Sequence, residues 1–478
     1  MPGRTVVRAQ YLVGFQGGEH RLLRDGCLAY DGDTIDYVGP DEPRAATTVL
    51  DLRDHLVVPG FISGHGHLVA SPFDRGARED SGNPRLAMSG LYELATVLAR
   101  PVGADLARGA AEASIVELLR SGVTAAVDMT SWPEQSAEAA EHIGIRAFVG
   151  PVFQSQEWRT DGRSVTYREL DAAEQRARWR AATDFVSATK KGGLVQAFVA
   201  PRHVDTCHPE LLREARAFAI DHDTFVEVHA AQSVFEFREI LARTGRTPLQ
   251  LLGDEGLLGP GVVLAHCVFI GGHSWVAYPD VGELGLLAES GCAVAHCPWA
   301  FARNGQALES LSRYLRAGVP VALGVDSVPQ SMLAEMKVAA LVGKLVQRDP
   351  RVSTARDVFD AATLGGARAL GRDDLGRLAP GCKADFCGFS LTSASMSPMH
   401  DPLKALVYSA SPRDLSTVVV SGKLIIEDGC FVDFDEAACL AEVRARAPDV
   451  WSRFSDYDHS GRALEQVSPP SLPGWVIE

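Results

Sequence analysis

The chain has 478 residues, 46% hydrophobic and 22% charged, with 61 acidic against 46 basic side chains and a formal net charge of -15. This composition excludes a disordered chain, and the lack of any Lys/Arg cluster excludes a nucleic-acid surface, which needs concentrated positive charge. Nine cysteines without a CxxC pair, a start lacking the charged-then-apolar pattern of a signal peptide, and no apolar run of membrane-spanning length point to a cytoplasmic globule with reduced thiols and no membrane partner.

In chain order, the first segment reads as short strands broken by turns: "TVVRAQYLVGF", "CLAYDGDTIDYVGP" and "TVLDLRDHLVVPG", punctuated by Asp-Gly and Gly-Pro. The same texture returns in "KADFCGFSL" and "LSTVVVSGKLIIEDGCFV". Residues 1–57 and 379–440 are therefore expected to pair into one small β-sandwich. Residues 441–478 read as a helix and an irregular tail able to pack on a neighbour.

Between these ends, residues 58–378 alternate short apolar runs with helical patterns, the signature of repeated β-α units. Eight strands are predicted, at 60–67, 123–129, 145–153, 193–201, 224–230, 262–268, 292–298 and 319–327, with helical segments such as "ARGAAEASIVELLRSG" and "ALESLSRYLRAG" between them. Eight is the closing number of a (β/α)8 TIM barrel, so the expected fold class is α/β, a barrel with an added β-sandwich. Active sites in such barrels lie at the C-terminal strand ends.

Those ends carry the polar residues that matter. The first strand, "GFISGHGH", ends in His65 and His67, which a strand's alternation aims at one spot. Strand five ends in His229, strand six in His266, strand seven in His296 and strand eight in Asp326. Five of 14 histidines at predicted strand ends favour a metal site over structural histidines. For His296, contact with metal or substrate and a supporting hydrogen bond at the rim both remain open.

"VVPGFISGHGH", "ELLRSGVTAAVDM" and "LGVDS", flanked by "DGDTIDYVGP" and "LGRLAPGCKADFCGFSL", resemble the strand-one, strand-two and strand-eight signatures of the amidohydrolase superfamily and its two-part sandwich. "APRHVDTCHPELL", "AHCV" and "AHCPWAFARNGQALESLSRYLRAGVPVALGVDS" are similar to the branch containing atrazine chlorohydrolase and the cytosine, guanine and adenosylhomocysteine deaminases. The resemblance implies that His65, His67, His229 and Asp326 hold one divalent ion, zinc or alternatively iron, with His266 behind them touching water or substrate. Imidazoles and one carboxylate suit such ions, which bring the pKa of bound water from near 15.7 to roughly 7. Asp326 would accept the water's proton. A bimetallic site would need a bridging carboxylated lysine near strand four, and "GLVQAFVAP" has none. The family further implies a homo-oligomer, most simply a dimer.

Two departures from the branch stand out. Where related deaminases carry His-x-x-Glu at strand five, this chain has "HAAQ", so Gln232 takes the position; it can donate a hydrogen bond but carries no proton. His266, His203 or Asp205 would have to take over, or the leaving group would need less help. Where relatives have a histidine after the strand-four proline, this chain has Arg202, followed by His203; Arg202 suits an anionic or carbonyl group. Rim-loop aromatics, with Trp299 and Phe301 foremost and Phe73, Phe153 and Trp275 besides, suit a flat ring. The expected function is metal-dependent hydrolysis of a carbon-nitrogen bond in a nitrogenous, heterocyclic or aromatic small molecule, by an aminohydrolase (deaminase) or an amide or urea hydrolase. The alternatives are hydrolytic dehalogenation of a ring and a non-catalytic scaffold.

Overall fold

The computed structural model describes residues 3–41, 44–309 and 311–474. Each of the eight predicted core segments contains parallel strand. Phe61–Ser63, Val123–Thr130, Arg146–Phe153 and Val195–Ala197 form one sheet in chain order, with Ala200–Pro201 continuing the fourth strand along the third. Val226–Ala230, Val262–His266, Ala293–His296 and Val321–Leu323 form a second parallel sheet, again in chain order. Nearly every residue of these strands is buried, which is why they read as continuous apolar runs: helices cover one face and packed side chains the other.

Isolated parallel bridges join the two sheets, Gly66 to Asp326 on one side and Val199 to Val226 and His203 to His229 on the other. The bridges bring the end of the first strand against the end of the eighth. Gly324 is needed there, because a Cβ at this position would lie 2.9 Å from the backbone nitrogen of His65 and 3.0 Å from Cys297 Sγ.

The two chain ends meet in one eight-stranded sheet. Its order is Cys430–Phe431, Lys423–Glu427, Leu415–Val420, Phe386–Ser390, Thr48–Pro59, Thr5–Gln16, Glu19–Asp31 and Thr34–Gly39. Thr48–Pro59 pairs antiparallel with Phe386–Ser390 and runs directly into the first core strand. A buried ion pair fastens this sheet to the core: Arg146 on the third core strand donates from Nε and Nη2 to Asp385 at 3.1 and 3.3 Å, and Asp385 also accepts from the Ser421 amide.

The C-terminal helix, Glu436–Ser452, starts before residue 441 and lies along Ala104–Arg120, with Arg446 paired to Asp105 at 2.7 Å. Beyond it Phe454 and Leu464 pack on Ala77, Leu94, Val97 and Leu98. Phe454 and Leu464 are thus used within their own chain, against the loop after the first core strand. No helix among the described residues is long and apolar enough to cross a membrane.

Candidate metal centre

Each strand end delivers its side chain to the same place. His65 is fully buried, and its Nδ1 lies 2.6 Å from Glu227 Oε1. Glu227 stands two residues before His229 on the fifth strand, so both face one side. His67 Nδ1 donates to Met129 O at 2.8 Å and His229 Nδ1 donates to Arg202 O at 2.5 Å. A carbonyl oxygen can only accept, so both Nδ1 atoms carry the proton and both Nε2 atoms are bare lone pairs.

Those two Nε2 atoms lie 3.2 Å apart. Two facing lone pairs repel unless a cation stands between or beside them. His65 Nε2 is also buried without a partner, and Asp326 Oδ1 is 4.0 Å from His67 Nε2. Donor atoms of His65, His67 and Asp326 lie within 4.8 Å of one another, as do those of His65, His229 and His266. Two imidazole lone pairs, the orphaned His65 Nε2 and one carboxylate converging at the cavity floor match the donor set of a divalent ion of the zinc type.

The electrostatics agree. Burial drives His67 down to about 4 and His266 to about 3, with neighbouring histidines adding to the effect, so both stay neutral. Burial pushes His229 well down in the same way. At Asp326 burial works toward protonation, but charge on His266, His65 and His67 in acid, and on Arg78 at any pH, outweighs it and holds the carboxylate below its usual range. Asp326 and His266 also sit at φ of 57° and 83° without being glycine, a strain of about 1–3 kcal/mol each that clusters at functional sites.

Glu227 was not picked out by the sequence reading. Its signal was a charged residue inside the apolar run "TFVEVHA". A carboxylate behind a ligating histidine fixes its tautomer and ring orientation. Glu227→Gln is expected to weaken metal retention about 10- to 100-fold, measured by competition with a chelator; retention equal to wild type would mean that Glu227 does not orient His65.

Above these groups opens a cavity of about 760 Å³, lined by His67, His229, His266, Asp326, Gln232, Arg202 and His203 among others. Gln232 Nε2 is buried without a partner, while its backbone amide donates to Glu236. Glu236 therefore faces the loop backbone. His203 stacks on Trp158 at 4.0 Å between ring centroids, and its ring lies 4.8 Å from that of His229. Asp205, a candidate proton carrier, does not line the cavity: it accepts from Trp158 Nε1 at 2.9 Å and Tyr167 Oη at 2.7 Å, which ties it to the hairpin of Gln156–Thr160 and Val165–Glu169.

Trp299 and Phe301 do not line the cavity either. They sit on the short helix Pro298–Ala302, where Phe301 packs among Val268, Phe269 and Cys297 and meets His266 edge-on at 5.1 Å. The Trp299 amide donates to Glu335. Phe73, Phe153 and Trp275 are also absent from the lining; the tryptophans that do face the cavity are Trp132 and Trp158. Trp299, Phe301 and Phe73 stand on short helices and Phe153 ends a strand, and no sequence pattern tells which way each ring turns. His296 is buried, is absent from the lining of this cavity and joins none of the candidate ligand groups among the described residues. Asp128, unremarked in the sequence, lines the cavity and accepts from the Leu68 amide at 2.9 Å; burial pushes it up to about 6.

Residues 56–425 match the Amidohydrolase family. A 5-methylthioadenosine/S-adenosylhomocysteine deaminase of Nitratidesulfovibrio vulgaris is 30% identical to this chain over 457 residues, covering 93% of this chain and 97% of that protein. The structure is similar to a zinc-bound adenosine deaminase from Xanthomonas campestris, with a TM-score of 0.82 at 25% identity over 93% of this chain and 98% of that one. It is also similar to a zinc complex of atrazine chlorohydrolase from Arthrobacter aurescens, with a TM-score of 0.78 at 25% identity over 93% and 100% of the two chains.

Proposed function

The chain belongs to the amidohydrolase family and is a metal-dependent hydrolase of carbon-nitrogen bonds, and on that premise we propose that it removes an amino group from a nitrogen heterocycle of the aminopurine type. The observation that carries this reading is the convergence of the bare Nε2 atoms of His67 and His229, 3.2 Å apart, with the orphaned His65 Nε2 and Asp326. These four residues would hold one ion, zinc by donor set with iron as the alternative. A divalent ion bound there supplies the Lewis acidity that makes water nucleophilic near neutral pH. The reading includes closure of the eight strands into a ring through the Gly66–Asp326 and Val199–Val226 bridges. It also includes folding of the composite sheet into two layers, for which the Thr34–Lys383 bridge speaks.

The chain's own residues divide the remaining work. Asp326, held below the usual carboxylate range and so ionised, accepts a proton from the attacking water, and His266 orients that water toward the planar carbon. Gln232 turns an unsatisfied amide N–H toward the cavity and donates it to a ring nitrogen. The proton on Asp326 passes to the departing amino nitrogen, which leaves as ammonia while the carbon keeps the oxygen. Stacking with Trp158 holds His203 beside this path.

A second reading, displacement of a ring halide, is favoured by one observation: Gln232 cannot carry a proton, and halide departs without one. A panel of aminopurine nucleosides, aminopyrimidines and chlorinated triazines, scored for ammonia and chloride, separates the two. Ammonia from aminopurines is the expected result. Chloride release without ammonia would transfer the assignment to the second reading, and neither product from any member of the panel would remove both.

A further inference from the structure

The proposed reaction uses the inner end of the cavity, and it leaves one charge in the wall unused. Arg202 is partly buried and lines the cavity, yet its guanidinium has no hydrogen-bond or ion-pair partner among the described residues. Its neighbours are better compensated. Arg178 pairs with Glu157 at 3.2 Å and Glu174 at 2.6 Å, Arg78 pairs with Asp74 at 2.8 Å, and Arg100 donates to Thr96 O at 3.1 Å.

We propose that Arg202, flanked by Arg100 and Arg178, forms a subsite for an anionic group carried by the substrate away from the carbon-nitrogen bond. An arginine held partly out of water with no carboxylate in contact, the nearby Glu157 being paired with Arg178 instead, is costly, and a ligand anion relieves that cost. The planar fork of guanidinium donors matches carboxylate or phosphate oxygens. Crowding of positive charge here is independently visible: burial, then Arg178 and Arg100, push Arg202 down to about 10. The subsite is also in register with the ligands, because the backbone carbonyl of the same residue accepts from His229 Nδ1. The inference rests on the proposed function for the identity of the ring, and on the residues alone for the anion.

Two arms test it on the metal-loaded enzyme. In the first, succinate and inorganic phosphate are titrated calorimetrically into wild type, Arg202→Gln and Arg202→Lys. At least one anion should bind wild type about 10-fold or more tighter than Arg202→Gln, with Arg202→Lys between; equal binding by wild type and Arg202→Gln, at equal metal content, overturns the subsite. In the second, KM is compared for 5′-methylthioadenosine, S-adenosylhomocysteine and adenosine 5′-monophosphate, which share a ring and differ in carrying no anion, a carboxylate or a phosphate. A KM advantage for one anionic member that Arg202→Gln loses identifies which anion is taken, while equal wild-type KM values across all three count against the inference. Should no purine turn over, the deamination reading falls and the calorimetric arm still decides the subsite.

Discussion

Asp326→Asn is expected to lower kcat by about 10³-fold, the scale of a positioned acid-base group. Asparagine keeps an oxygen in nearly the same place but cannot accept the water's proton or return it to the leaving nitrogen. The carboxylate is only 14% exposed and is surrounded by His65, His67 and His266, so few solvent molecules can substitute for it. The check is kcat under saturating metal, with metal content measured alongside. A variant that keeps its ion and turns over within about threefold of wild type would strip Asp326 of the role given to it.

Arg146→Met is expected to destabilise the fold by about 3–5 kcal/mol, because it leaves Asp385 as a buried charge without its partner. Arg146 joins the third core strand to the composite sheet at a point where both side chains are nearly inaccessible, 3% and 4% exposed. The second variant, Arg146→Met with Asp385→Leu, removes both charges and should recover most of that loss. Urea unfolding of the two variants and wild type measures this. If the double variant were no more stable than the single one, the loss would come from packing, and the ion pair would not be the fastening described.

The parts of this molecule legible in its sequence are those governed by local pattern. Parallel strands buried on both faces must be apolar throughout, so the eight core segments stood out, and a polar residue at the end of such a run, as at His229 or Asp326, was conspicuous for the same reason. Strand alternation put His65 and His67 on one side. Glu227 obeyed the same alternation relative to His229 but escaped notice, since its partner, His65, lies 162 positions away. Which aromatic rings face the cavity depends on loop paths and helix rotation, which no short-range pattern encodes: Trp158 comes in on a hairpin after the third strand, while Trp299 and Phe301 turn aside into packing. The unpartnered state of Arg202 was likewise invisible, because it depends on which acids the fold brings to Arg178 and Arg78 instead.

The central claim is that His65, His67, His229 and Asp326 form one cation site. Metal analysis of the purified enzyme by plasma mass spectrometry tests it most directly, alongside His67→Ala prepared identically. The account predicts close to one divalent ion per chain in wild type and little in the variant, with activity following the metal. An active wild-type enzyme carrying no ion, or a His67→Ala protein that retains a full complement, would contradict it.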